Sequence, residues 1–323
     1  MDELTHRSFH RILPGRWWHP FLETAVFTGI SLLFIAGFTL AAGLALGGDV
    51  IDSLEDMSQP APFAVELGYI IVLGLAACLT ASVCRRGKSV SAELRGARGL
   101  WSVTGRVRWA IASQAVLPAV ICWAVFYIPV MAVEGGSPRW DSTAAALLGL
   151  TMALVPLQAL SEELIFRSLI PQWIGRWVRS PWLVYLPGGG LFIAGHIYDA
   201  KGLAAIAVFA VAASVLTWYT GGIEAAAMVH IVGNLGAFSA AAIGIADPNA
   251  VEISWATVAA EVGFTVGATA WILYRVRRRP ELVRSSPVVL PCGQRERSAT
   301  GEVPPPPTVQ RPPQPAPRPG LPE

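Results

Sequence analysis

Long apolar segments limit what this chain can fold into more than any other feature of its sequence. A helix needs about 20 mainly apolar residues to cross the hydrocarbon core of a membrane. Segments that reach or approach this length are residues 21–47, 63–84, 110–133, 143–170, 181–198, 202–219, 223–243 and 255–274. Of all residues, 53% are hydrophobic and only 14% charged. The sequence therefore predicts an all-α, polytopic transmembrane helix bundle of about eight spans.

The charges between these segments predict how the bundle is oriented. Residues 85–109 carry seven Lys or Arg, and the basic run RVRRR follows the last apolar segment, whereas GDVIDSLEDMSQPAP after the first segment is acidic. The positive-inside rule then places both termini in the cytoplasm if all eight segments cross. The fifth, interrupted by PGGG at 187–190, decides this count. We expect a multi-pass protein of the cell membrane.

The same pattern divides the chain into five parts. We predict a cytoplasmic arm (1–20), three spans with a basic cytoplasmic loop at 85–109 (21–142), a core of four spans (143–243), a final span (244–275) and a cytoplasmic tail (276–323). The tail contains VPPPPTVQRPPQPAPRPG, which cannot bury a hydrophobic core and is predicted to be disordered. Its PxxP spacing is also compatible with docking to a partner protein.

The motif SEELIFRS, at 161–168, places three charges inside an apolar segment. Ionisable groups in hydrocarbon are costly and need a partner or a purpose. Glu163 and Arg167 are four residues apart, so on one helix face they can form an ion pair. Glu162 points about 100° away and lacks that partner. It is therefore a candidate general base, although a purely structural link between helices remains an alternative.

Two histidines lie within the apolar body of the chain, on separate predicted spans. His196 has Phe192 one helical turn before it, which supplies an apolar wall beside the imidazole. His230 has Asn234 one turn after it, so both side chains project from one helix face. Glu261 in the last span belongs to no such pattern, and we predict a snorkelling or helix-pairing role for it.

These three motifs, EExxxR (162–167), FxxxH (192–196) and HxxxN (230–234), occur in the order found in a known family. The chain resembles the CAAX protease and bacteriocin-processing family, also called CPBP or Abi, over about 143–243. The resemblance implies an intramembrane endopeptidase that hydrolyses membrane-associated proteins or peptides. Its expected partners are this substrate and the lipid bilayer, with no nucleic acid. The alternative is a non-proteolytic membrane scaffold or bacteriocin self-immunity factor with the same fold.

The resemblance also implies roles for the motif residues. In a metal-free mechanism, Glu162 and His196 activate a water molecule, while His230 and Asn234 donate hydrogen bonds to the developing oxyanion. The ion pair next to Glu162 and the Phe192 ring support this site.

The alternative mechanism uses Zn²⁺ as a cofactor. His196, His230 and either Glu162 or Glu163 would provide the two-histidine, one-carboxylate ligand set of many hydrolytic zinc sites. Asn234 favours the metal-free mechanism, because an amide is a poor zinc ligand and a good hydrogen-bond donor to an oxyanion.

One consequence of the spacing is a mismatch in depth. A straight helix starting at Pro181 would place His196 roughly 22 Å along its axis, about twice as deep as Glu162 and His230 in their spans. A single site therefore requires the fifth span to be irregular or strongly tilted. The glycines of PGGG are the predicted position of the break.

Overall fold

The computed structural model describes residues 6–12, 16–86 and 92–284. Within these ranges the chain is helical apart from turns, loops and one isolated bridge between Ser102 and Gly222. This confirms the predicted all-α fold class. The proline-rich part of the tail and residues 87–91 of the basic loop lie outside the described residues.

Eight principal helices form the bundle. In chain order they are α1 (His19–Leu46), α2 (Pro60–Cys84), α3 (Trp109–Glu134), α4 (Ser142–Glu163), α5 (Pro181–Ala194), α6 (Ala200–Thr220), α7 (Glu224–Ala242) and α8 (Trp255–Arg277). The α4 helix continues as a π-helix (Leu164–Leu169) and a further α-helical turn (Ile170–Ile174). The remaining short helices are His6–Arg11, Gly48–Asp52, Ala92–Leu94, Gly96–Leu100 and Glu281–Arg284.

The fifth helix differs from its prediction. In the described chain, seven helices are long and apolar enough to cross a membrane, and α5 is the shorter exception. With 14 residues it extends about 21 Å, less than a hydrocarbon core of about 30 Å. It continues unbroken through PGGG and ends at Ala194, four residues before the predicted end. The irregular backbone expected at PGGG is instead found after the end of α5, and His196 lies in the loop there. The orientation of the termini stays a prediction.

The α7 helix lies at the centre of the bundle. It packs against α4 most extensively, then α3 and α6, with a smaller contact to α8. Phe192 from α5, Phe209 from α6 and Phe264 from α8 share one buried apolar cluster with Val229 of α7. Large apolar side chains elsewhere remain exposed at the outer surface, as expected for helices whose solvent is lipid. The helix bearing the HxxxN motif is thus surrounded by elements that can contribute to one site.

Two buried ion pairs fasten the ends of the helices. Arg85, after α2, binds Glu23 of α1 with a closest distance of 2.9 Å, and its Nη1 donates to Gln172 Oε1 at 2.6 Å. Trp173 Nε1 also donates to Glu23 Oε2, at 2.9 Å. These contacts attach the last turn of the α4 continuation to α1 and α2.

The second pair fixes the start of α7. Arg108 Nε and Nη2 donate to the two carboxylate oxygens of Glu224 at 2.8 and 2.7 Å, and Nη1 donates to the carbonyl oxygen of Thr220 at 2.8 Å. The pairing is bidentate, which is the strongest geometry for a guanidinium and a carboxylate. It holds the loop before α3 against the turn between α6 and α7.

The described part of the N-terminal arm packs against the bundle. Phe9 is fully buried and Ile12 nearly so, in a cluster that includes Leu169 of the π-helix. His10 is also buried, and its Nε2 lies 3.3 Å from the carbonyl oxygen of Arg179. The predicted cytoplasmic arm is therefore, over residues 6–12, a packed element beneath the α4 continuation.

Candidate active site

The EExxxR motif lies where α4 changes into a π-helix. Glu162 and Glu163 end the regular helix, and Arg167 lies within the π-helical turn. The N–H of Ile170 donates to the carbonyl oxygen of Ile165, five residues earlier. Isolated π-helical turns inside α-helices occur frequently at functional sites. Here the wide turn directly follows the two glutamates and carries Arg167.

His230 lies between the two glutamates. Its Nδ1 is 2.8 Å from Glu163 Oε1, and its Nε2 is 3.2 Å from Glu162 Oε2. The Nδ1 contact is a hydrogen bond, whereas the Nε2 contact is at ion-pair distance only and leaves Glu162 Oε2 without a hydrogen-bond partner among the described residues. All three side chains are buried. The arrangement links α7 to α4 through an imidazole that lies between two carboxylates.

Arg167 is fully buried beside these residues. Its Nη1 lies 3.4 Å from Glu163 Oε1, in agreement with the ion pair expected from the spacing. None of its side-chain nitrogens donates a hydrogen bond to another described residue. Instead the guanidinium lies over the rings of Phe192, at 4.0 Å, and Phe209, at 5.4 Å. One carboxylate and two aromatic faces therefore stabilise this cation.

Phe192 brings the second histidine close to the first. Its ring lies 4.7 Å from the His196 ring and 5.8 Å from the His230 ring. His196 Nδ1 is 2.7 Å from the carbonyl oxygen of Phe192, so within the described residues its ring is anchored to its own turn, and no bond to Glu162 is formed. The structure thus brings the FxxxH and HxxxN motifs together, which a straight helix from Pro181 to His196 was not expected to do.

Asn234 belongs to the same polar cluster through a residue that the sequence did not single out. Its Nδ2 donates to Gln158 Oε1 at 3.1 Å. Gln158 lies one turn before Glu162, is buried, and interacts with the Glu162 carboxylate. The only signal in the sequence was this polar pair at four-residue spacing. Gln158 therefore connects the amide of the HxxxN motif to the first glutamate.

Glu261 approaches the cluster from α8. Tyr127 Oη donates a short hydrogen bond to Glu261 Oε2, and Thr265 Oγ1 donates to Oε1 at 3.1 Å. The carboxylate also interacts electrostatically with His230. Both glutamate oxygens are thus held by hydroxyl groups, in a contact between α3 and α8. Tyr127 was not among the residues predicted from the sequence.

The predicted zinc ligands are not arranged as a metal site. Among the described residues, no group of three or more His, Cys, Asp or Glu side chains could hold a metal ion. Both ring nitrogens of His230 face carboxylate oxygens, and the Nδ1 of His196 faces a carbonyl oxygen. In this arrangement the residues do not fit a zinc ion, and we derive no catalytic step through one.

The fold and the site define a class: a polytopic helical membrane protein with a buried cluster of glutamate, histidine and arginine. Residues 142–236 match the family described as Rce1-like, type II CAAX prenyl endopeptidase Rce1-like. Over this segment, which is less than half of the chain, the match agrees with the family resemblance predicted from the three motifs. The match extends from the start of α4 to Gly236 in α7 and includes all three motifs. No curated protein and no solved structure matched the chain.

Proposed function

We propose that the chain is an endopeptidase that hydrolyses a peptide bond of a membrane-associated substrate, with Glu162 as the general base. The observation that carries this proposal is the different environment of two neighbouring carboxylates. Glu163 is fully buried and is bound by Arg167 and His230, whereas Glu162 retains slight exposure and has no arginine partner. Glu162 is therefore the carboxylate that can reach a water molecule.

The other site residues supply the remaining requirements of hydrolysis. Glu162 takes a proton from water while His196 orients that water from the loop after α5. The resulting hydroxide attacks the substrate carbonyl carbon, and the negative charge moves to the carbonyl oxygen. Donors to this oxygen are the Nε2–H of protonated His230 and the side-chain amide of Asn234. The proton held by Glu162 then passes to the leaving amine as the C–N bond breaks.

The position of His230 couples proton uptake by Glu162 to stabilisation of the oxyanion. Its Nε2 lies 3.2 Å from Glu162 Oε2. When Glu162 takes up a proton, it becomes a weaker acceptor, and the Nε2–H becomes available to the oxyanion. Glu163 holds the opposite nitrogen of the ring at 2.8 Å and keeps the imidazole oriented. Its ion pair with Arg167 fixes Glu163 in turn.

The substrate class follows from the description of the matched family. That family is described as a CAAX prenyl endopeptidase. We therefore take a prenylated CAAX peptide as the first substrate to test, presented to the full-length protein in detergent. Removal of three residues after the prenylated cysteine by the wild type, and not by Glu162→Gln, is the expected result.

A second experiment identifies native substrates. Membrane proteomes are compared between cells that carry the wild type and cells that carry Glu162→Gln. Proteins that lose a C-terminal or juxtamembrane cleavage only with the variant would be substrates. If neither the peptide nor the proteome shows a difference, the proteolytic proposal is wrong and the scaffold or self-immunity alternative is favoured.

A further inference from the structure

We propose that Gln158 is a positioning residue that keeps the amide nitrogen of Asn234, and not its amide oxygen, turned towards the substrate carbonyl. This inference rests on the proposed function, in which that nitrogen donates a hydrogen bond to the oxyanion. Gln158 is buried and belongs to none of the three motifs. The steps of hydrolysis described above give it no role.

Gln158 and Asn234 form a second polar contact between the two helices that carry the site. Glu162 of α4 lies opposite His230 of α7, with Oε2 and Nε2 3.2 Å apart. One turn back along α4 and one turn forward along α7, Asn234 Nδ2 donates to Gln158 Oε1 at 3.1 Å. Side chains four residues apart lie on the same helix face, so this register is that of two antiparallel helices. The amide contact is therefore the next contact along the interface that holds the general base.

The direction of this hydrogen bond restricts the Asn234 amide. Gln158 presents an oxygen, which only accepts, so the Asn234 atom that faces it has to be the nitrogen. If the Asn234 amide turned over, two carbonyl oxygens would meet and the hydrogen bond would be lost. The Nδ2 atom carries two hydrogens, so the bond to Gln158 leaves the second one for the oxyanion. A turned amide would instead direct an oxygen at the developing negative charge.

The orientation of Gln158 is itself restricted by the general base. The Gln158 side chain also lies near the Glu162 carboxylate. An ionised carboxylate has only acceptor sites, so the amide nitrogen of Gln158 suits it and the amide oxygen does not. That preference leaves the Gln158 oxygen for Asn234, as observed. The charge of Glu162 thus orients Gln158, and Gln158 orients Asn234.

The test measures kcat and KM of the full-length protein in detergent with an internally quenched prenylated CAAX peptide. Wild type is compared with Gln158→Met, Asn234→Ala and the double variant. Met has a similar size but no amide, and we expect Gln158→Met to lower kcat on the order of tenfold with KM within about twofold, because stabilisation of the transition state is weakened and substrate binding is not. Asn234→Ala should lower kcat on the order of 10²-fold. The double variant should have the kcat of Asn234→Ala, because Gln158 acts through Asn234.

Thr151→Val is the matched control, because Thr151 is fully buried on the same face of α4, seven residues before Gln158. It should leave kcat and KM unchanged. The inference is overturned if folded Gln158→Met has the wild-type kcat, or if the two losses multiply in the double variant. If Gln158→Met does not fold, Gln158→Asn decides by the same comparison, because it keeps the amide and shortens its reach by one methylene group. Absence of turnover by wild type, or full activity of Glu162→Gln, would instead contradict the proposed function.

Discussion

His230 Nδ1 lies 2.8 Å from Glu163 Oε1, in a position where the glutamate is fully buried. The same carboxylate oxygen lies 3.4 Å from Arg167. Glu163 therefore joins two helices and neutralises a buried cation, which are structural tasks. Its neighbour Glu162 lies near the other nitrogen of the imidazole and near the uncharged amide of Gln158, and forms no ion pair with Arg167 within 4 Å. Adjacent residues of the same type thus serve different purposes because the helix directs them to different surroundings.

The two glutamates should respond differently to the same substitution. Glu162→Gln should lower kcat by about 10²-fold or more, as expected for loss of a general base, with little change in thermal stability. Glu163→Gln should lower activity and also destabilise the fold by about 3–5 kcal/mol, because Arg167 is left as an uncompensated buried charge. Peptide cleavage and thermal unfolding in detergent measure the two effects. Equal destabilisation by both variants would contradict this division.

The PGGG segment offers a test of the contact between α5 and the π-helix. A Cβ atom at Gly188 would lie 2.4 Å from the carbonyl oxygen of Phe166, whereas one at Gly190 would meet no atom within 4 Å. Gly188→Ala should push α5 away and displace Phe192 and the histidine loop, with a loss of activity. Gly190→Ala should be neutral or stabilise α5 by roughly 0.5–1 kcal/mol. A harmless Gly188→Ala would show that this close approach is unimportant.

The Arg108–Glu224 pair should be important for stability. Each single variant, Arg108→Met or Glu224→Gln, should cost about 3–5 kcal/mol of unfolding free energy, because its partner stays buried and charged. The double variant should lose less than the sum of the two. Lys201→Met tests the partly exposed pair with Asp199, where N and O are 3.1 Å apart, and should change stability by less than about 1 kcal/mol. Additive losses in the first pair would contradict direct coupling.

Docking of the N-terminal arm should depend on pH. Burial lowers the pKa of His10 below its ordinary value. In a released arm, His10 therefore takes up a proton at a higher pH than in a docked arm. Docking accordingly weakens as the pH falls from about 6.5 towards the lowered pKa of buried His10. Hydrogen exchange of residues 6–12, corrected for the intrinsic effect of pH, measures this. His10→Gln should abolish the dependence and His19→Gln should keep it, whereas an unchanged response in His10→Gln would exclude His10 as the cause.

Metal removal distinguishes the two mechanisms predicted from the sequence. Because His230 is bound on both sides by carboxylates, we expect cleavage of the prenylated peptide to survive exhaustive removal of metal. Metal analysis of the purified protein accompanies the assay. Stoichiometric Zn²⁺ whose loss and return control turnover would establish the zinc mechanism instead.

Features set by local spacing were predictable from the sequence. The apolar segments predicted the helices, and the four-residue spacing of Glu163 and Arg167 predicted their ion pair. The early end of α5 could not be predicted from the sequence, because the apolar stretch continues through Ile197 and Tyr198 although the helix ends at Ala194. The π-helical turn has no composition of its own that marks it in the sequence.

Contacts between residues distant in sequence could not be predicted either. Gln158 meets Asn234 across 76 residues, and Tyr127 meets Glu261 across 134. Nothing near either residue indicates its partner, because helix packing alone brings them together. Glu23 and Glu224 lie near the ends of predicted spans, but nothing in the sequence indicates that Arg85 and Arg108 bind them. Residues that share a motif could be found by spacing, whereas residues that complete the site from another helix required the structure.

The π-helical turn at Leu164–Leu169 determines how the two glutamates are rotated relative to the last turn of this helix, which is bound to α1 and α2. Before the turn lie the two glutamates, and after it Gln172 and Trp173 bind Arg85 and Glu23. If the same six residues formed an ordinary α-helix, the extra residue of the wide turn would no longer be absorbed and the helix beyond would rotate by about 100°. Either the glutamates or the last turn would then face the wrong way. The length of this turn is thus as strict a requirement of the fold as the identity of the residues around it.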